Sequence, residues 1–293
     1  ASLPVYLAAF ALMGIGNTVI QVALNPLMGD VVSKDKLSTS ITAGQVLKAV
    51  ASFSGPYIIG MCVAAGWGWN AVLIVYSVIA VLGTLWLAFT KIEESPANEA
   101  AKVGESFALL KNPYILACFF AIFCIVGIDV GMNVTSPKLL QEKAGLDATA
   151  AGTASSWFFL FKTIGNFLAA FMLTKIADLK YFRWNVIGLA LAIAALFFIS
   201  GKMPLYIVIC LVGFFEACIF GLVVSMAMKA APGKENEASG LMITGIIGGA
   251  LVSFLTGVLS DAMGGQIGSL IIIAACAAYM LICPFCILNR HKA

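Results

Sequence analysis

The chain has 293 residues, of which 61% are hydrophobic in type and only 11% are Asp, Glu, Lys or Arg, against about 25% charged in an ordinary soluble domain. With a mean hydropathy of +1.02 it has no polar shell to cover a water-exposed core of this size, so lipid is the solvent of the fold. A net charge of +3 from 17 basic and 14 acidic residues leaves no cationic stripe, which excludes a nucleic-acid partner.

Crossing about 30 Å of hydrocarbon takes about 20 apolar residues of helix. Nine blocks meet or approach that length, at 3–29, 37–65, 70–90, 112–136, 148–174, 184–200, 203–228, 238–260 and 267–288. Barrel strands would alternate polar and apolar residues over about ten positions, so these blocks read as helices. The first is a full span rather than a signal peptide. The longest polar stretch, 91–111, contains Glu93, Glu94, Pro96, Asn98, Glu99 and Glu105 and divides three spans from six.

Lysine and arginine orient the spans. If 30–36 is cytoplasmic, then Lys34, Lys36, Lys91, Lys102, Lys111, Lys175, Lys180, Arg183, Lys229, Lys234, Arg290 and Lys292 lie inside, and only Lys138, Lys143 and Lys202 lie outside. The expectation is an outward amino terminus and a cytoplasmic carboxyl terminus in a multi-pass cell (inner) membrane protein.

Several charged and amide residues fall within the spans. A charge at mid-membrane costs at least about 2.5 kcal/mol on insertion scales and persists only when it faces protein or water. Lys48, Asp129, Lys162 and Glu216 are such charges, and Gln45, Asn133 and Asn166 lie one turn from the first three. In the first span Asn17, Gln21 and Asn25 fall within about 80° of one face. Amides both donate and accept while a carboxylate accepts twice, an inventory suited to a hydroxyl-rich small molecule. Asp129 and Lys162 are expected to pair. Glu216, with no basic residue in its own span, is the candidate for a mobile proton.

The eight cysteines sit in apolar blocks as small hydrophobes, and the Cys283-Pro284-Phe285-Cys286 dyad has only His291 as a further ligand type, too few for zinc. No metal or other cofactor is expected. Gly245, Gly248, Gly249 and Gly257 are expected to let helices approach closely, and Pro26, Pro56 and Pro284 to kink their spans.

The chain resembles itself at an offset of 201 residues: Ser38, Gly44, Ala49, Ser52 and Phe53 recur as Ser239, Gly245, Ala250, Ser253 and Phe254. A parallel repeat of six-helix halves is the architecture of major facilitator transporters. The stretch from Gly16 to Pro26 (Gly-Asn-Thr-Val-Ile-Gln-Val-Ala-Leu-Asn-Pro) resembles the fourth helix of the fucose permease and glucose-galactose symporter branch of that superfamily. The stretch from Met242 to Gly249, continuing through Gly257 to Asp261, is similar to that branch's eleventh helix. The resemblance implies an all-α membrane fold of two six-helix bundles lacking its first three helices, with 1–90 the remainder of the first bundle, 91–111 a cytoplasmic linker and 112–293 the second bundle. On the repeat offset, about 95 residues would precede Ala1, enough for three spans.

The resemblance also implies cation-coupled sugar symport by alternating access, in a monomer with a proton or sodium ion as co-substrate. Gln45 and Lys48 fall where relatives have Gln and Asn near the sugar, and Gln21 falls where proton-carrying members have Glu. The loop from Lys175 to Arg183, with Asp178, is a worn form of a superfamily loop motif. Transport of an organic anion drawn to Lys48 and Lys162 is the alternative. An intramembrane protease would need two carboxylates sharing a proton or a histidine pair, so an enzyme is not expected.

Overall fold

The computed structural model describes residues 3–33, 36–68, 70–90 and 103–287, and among these it contains helices and turns but no strand. The helices are α1 (Leu3–Val31), α2 (Leu37–Ala64), α3 (Ala71–Phe89), the short α4 (Val103–Ala108), α5 (Pro113–Ala144), α6 (Ala148–Met172), α7 (Asp178–Phe198), α8 (Lys202–Glu216), α9 (Ile219–Lys229), α10 (Glu235–Thr244), α11 (Gly248–Met263) and α12 (Ile267–Ile282). Most of the expected linker, 91–102, lies outside the described residues, as do Arg290, His291 and Lys292.

Eight stretches among the described residues are long and apolar enough to cross a membrane, with 202–229 and 235–263 each counting as one. The ninth expected span, α6, has the length without the hydropathy. It carries Thr153, Ser155, Ser156, Lys162, Thr163 and Asn166 along 25 residues, which lowers its hydropathy, while Trp157, Ile164, Phe167 and Phe171 keep an exposed apolar face.

Boundaries move where local chemistry outweighs hydropathy. α5 continues past the expected end at 136 because Pro137, inside the helix, does not stop it; the stop is Gly145, in the left-handed conformation at φ 64°. α7 starts at Asp178 rather than 184, taking Arg183 into the helix, where Nε and Nη2 donate to the Pro284 carbonyl at 3.2 and 3.1 Å. The interruptions are also elsewhere than at Pro26 and Pro56, through which α1 and α2 run unbroken. They fall at Ala217 and Cys218, at the 3-10 turn Gly245–Ile247, and at the π-helical turn Cys283–Ile287, which contains Pro284.

Close helix approach rests on glycine. A Cβ on Gly248 would overlap the Phe123 carbonyl oxygen, and one on Gly245 would stand 3.1 Å from Ile122, so α10 and α11 lie directly on α5. Gly249 packs against Val126 and Val130 in the same way, whereas Gly257, expected to do likewise, faces open space. The α6 and α8 crossing is reciprocal: a Cβ on Gly165 would stand 2.5 Å from the Phe214 carbonyl oxygen, and one on Gly213 2.5 Å from that of Phe158.

The core belongs to the later helices. In the candidate spans from α5 onward 44 to 72% of the apolar window is buried, against 0, 13 and 6% in α1, α2 and α3. α2 nevertheless packs along α6 and α9, and α1 meets α10, so the first helices close one side of a space whose other walls are α5, α6 and α8.

Gly248→Ala should lower the thermal unfolding midpoint in detergent by an amount corresponding to about 1 to 3 kcal/mol, the usual cost of overpacking. Gly257→Ala should leave it unchanged or raise it, since the helix gains propensity and meets nothing. Equal losses in the two variants would contradict the α5 and α11 contact.

Candidate functional site

A cavity of about 270 Å³ lies where α1, α2, α5, α6 and the α8 to α9 break converge. Its polar lining is Asn17 and Gln21 from α1, Gln45, Lys48 and Ser52 from α2, Asp129 from α5, Lys162 and Asn166 from α6, and Glu216 from α8. Eight of the ten residues expected from the sequence are thus brought together. Asn133 shares the Asp129 face but is not part of the lining. It lies one turn, about 6 Å, further along the axis, and the α5 contribution ends at Val130. The Asn25 side chain lies outside the described residues.

The electrostatic centre is Lys162. Its Nζ lies 2.7 Å from Asp129 Oδ1 and donates to Glu216 Oε1 at 3.0 Å. The expected Asp129 pairing is present, and Glu216, which has no basic residue in its own span, shares the same ammonium: its partner comes from the neighbouring helix, which a search along Glu216's own span cannot reveal. The Glu216 side chain is 4% exposed, that of Lys162 14% and that of Asp129 30%.

Part of the inventory is unspent. Glu216 Oε2 and both Asn166 side-chain polar atoms are buried with no partner among protein atoms. Buried polar groups are nearly always satisfied, and here they sit on the wall of a space able to hold a ligand that supplies hydroxyls. Lys48 is exposed to the cavity. Its Nζ lies 5.9 Å from the Phe220 ring centroid, and it makes no ion pair among the described residues.

Sequence reasoning missed the apolar walls Phe159 and Phe220, because nothing distinguishes two cavity phenylalanines among 20 in the chain. Ser52 did carry a signal, as a member of the internal repeat. A second polar cluster was also missed as a unit. Ser38 Oγ donates to Asp178 Oδ2 at 2.6 Å and lies 2.7 Å from Ser225 Oγ, while Lys229 Nζ donates to Asp178 Oδ2 at 2.8 Å and to Ser38 Oγ at 3.1 Å. The cluster joins the first turns of α2 and α7 to the last turns of α9.

A sequence model of the Major Facilitator Superfamily matches residues 1–246. A putative glucose/galactose transporter of Helicobacter pylori is 23% identical over 275 residues, 87% of this chain, and the glucose/galactose transporter of Brucella abortus is 21% identical over 291 residues, 94% of the chain. The chain spans 66% of the length of the first of these relatives and 69% of the second. Among solved structures, a major facilitator transporter, FucP, in the outward conformation superposes with a TM-score of 0.76 at 20% identity, covering 90% of this chain and 72% of that one. A bacterial homologue of the iron transporter ferroportin in an outward-facing state gives 0.63 at 14% identity, covering 99% and 74%.

Removing one partner of a buried ion pair strands the other, at a cost of about 3 to 5 kcal/mol. Lys162→Met strands two carboxylates and should lower the yield of folded protein and its unfolding midpoint more than Asp129→Asn or Glu216→Gln alone. The triple neutral variant should recover much of the loss. A triple variant no better than Lys162→Met would contradict the shared bridge.

Proposed function

The chain belongs to the major facilitator superfamily, and on that premise we propose that it is a secondary active transporter that takes up a small sugar with a cation by alternating access. The observation that carries the proposal is the polar cavity at the meeting of five helices in a multi-pass membrane protein. A space lined by amides, carboxylates and two aromatic walls fits a hydroxyl-bearing ligand in size and chemistry. The similarity to proteins named as glucose/galactose transporters supports the same ligand class.

On this reading α1 to α3 contribute one wall and α5 to α12 form the opposite bundle, with 91–111 the linker between them. Asn17, Gln21, Gln45, Lys48 and Asn166 hold the substrate, Asn133 supports from beyond the cavity end, and Asn25 extends the α1 stripe. The Ser38, Asp178, Ser225 and Lys229 cluster joins the two bodies at the end that the lysine distribution assigns to the cytoplasm, and acts as the inner closure. Lys229 and Asp178 side chains remain 29% and 21% exposed, so the closure can be opened by water without stripping a dry ion pair.

The coupling group is Glu216. Protonated at Oε2, which has no protein partner, it still accepts from Lys162 through Oε1, so a proton can arrive and leave without breaking the bridge. Sodium held by oxygens of Asn17, Gln21 and Asn25 is the competing arrangement.

The test is counterflow in proteoliposomes with the full-length protein, comparing radiolabelled sugars with organic anions. Sugar exchange is expected, and exchange of non-sugar anions alone would overturn the sugar reading. Glu216→Gln should abolish accumulation against a gradient while exchange, which moves no net cation, persists. Accumulation that survives the change and follows external sodium rather than pH would move coupling to the amide oxygens.

A further inference from the structure

The charges around the cavity divide unequally. Lys162 is committed to Asp129 and Glu216 at 2.7 and 3.0 Å, so two of its three N–H donors are used and the triad carries a formal charge of −1. The two carboxylates already at that ammonium repel a further anion there. Lys48, on the facing helix α2, lines the same space and makes no ion pair among the described residues. The Phe220 ring at 5.9 Å is at the outer limit of a cation–π contact and does not neutralise it.

An open, wet cavity tolerates that ammonium. A closed one does not, because alternating access requires the cavity to shut on its cargo, and an ammonium deprived of water needs an acceptor in contact with it, which the triad, already bonded within itself on the facing side, does not supply. A neutral sugar brings none. The rest of the lining asks for hydroxyls: Asn166 has an unspent donor and acceptor, and Glu216 Oε2 an unspent acceptor. The cavity therefore presents a cation from α2 and hydroxyl partners from α6 and α8.

Resting on the transport reading above, we propose that the preferred substrate is an acidic monosaccharide, a sugar carrying one carboxylate, with that carboxylate on Lys48 and its hydroxyls on Asn166 and Glu216. The charge balance is then preserved. The empty cavity holds two cations and two anions; the substrate adds one negative charge, and one proton on Glu216 restores neutrality. Substrate and proton enter together because either alone leaves an uncompensated charge in a closing space.

The experiment measures counterflow and binding of galacturonate and glucuronate against galactose and glucose, using the full-length protein. The wild type should favour the uronate over its neutral parent by about tenfold or more. Lys48→Gln should reduce that ratio by about tenfold, and Lys48→Arg, which keeps the charge, should retain most of it. Reading the ratio of two ligands on one preparation separates lost recognition from lost folding. If neutral hexoses exchange as well as or better than uronates and the ratio is indifferent to Lys48→Gln, the acidic substrate is refuted and sugar transport stands. Lys48 then takes its counter-ion from the protein rather than from the cargo. If neither class exchanges while another solute does, the sugar reading itself is refuted and this inference with it.

Discussion

One ammonium between two carboxylates sets the geometry of the cavity. Lys162, Asp129 and Glu216 come from three different helices, and a carboxylate withdrawn from bulk water is held in place by the ammonium within hydrogen-bond distance of it. The glycine crossing makes this possible. On α6, Gly165 follows Lys162 by three residues, and on α8, Gly213 precedes Glu216 by three; each glycine lets its helix rest on the other's backbone carbonyl. Side chains three apart share a helix face, so the contact that brings the two axes together also delivers the ammonium to the carboxylate. A larger residue at either glycine would separate the helices and the charges at once.

The polar cluster at the end of α2 obeys a stricter arithmetic. Ser38 Oγ has one proton and two lone pairs. Its proton goes to Asp178, and its acceptor capacity is taken by Lys229 and by the Ser225 hydroxyl. Ser38 and Ser225 are 1% and 0% exposed, while the charged pair beside them stays half-buried. The serines hold dry positions that a charge could not hold cheaply, and the charges remain within reach of water.

Much of this was legible in the sequence for a physical reason: in lipid a polar side chain is expensive, so its presence is informative. Eight of ten residues chosen on that ground line one cavity. The membership of Asn133 was overestimated because helical periodicity reports angle and not depth. The partner of Glu216 was missed because an interhelical bridge leaves no periodic trace. Gly245, Gly248 and Gly249 were recognised as contact residues, but Gly165 and Gly213 were not, since an isolated glycine in an apolar run looks like any small residue until its neighbour is known. The family resemblance was legible in short stretches of α1 and of α10 into α11, while the low hydropathy of α6 gains its meaning from the structure: the span with the lowest hydropathy carries the central lysine.

The interruption at Ala217 and Cys218 leaves α9 as a separate rod of eleven residues. Phe220 stands at its cavity end, and Ser225 and Lys229 at the other. Nine residues of helix separate Phe220 from Lys229, about 13.5 Å, and a rod this short does not bend over that length. One short rigid element therefore carries both an aromatic wall of the cavity and two members of the Ser38 and Asp178 cluster, which fixes the spacing between the two polar sites.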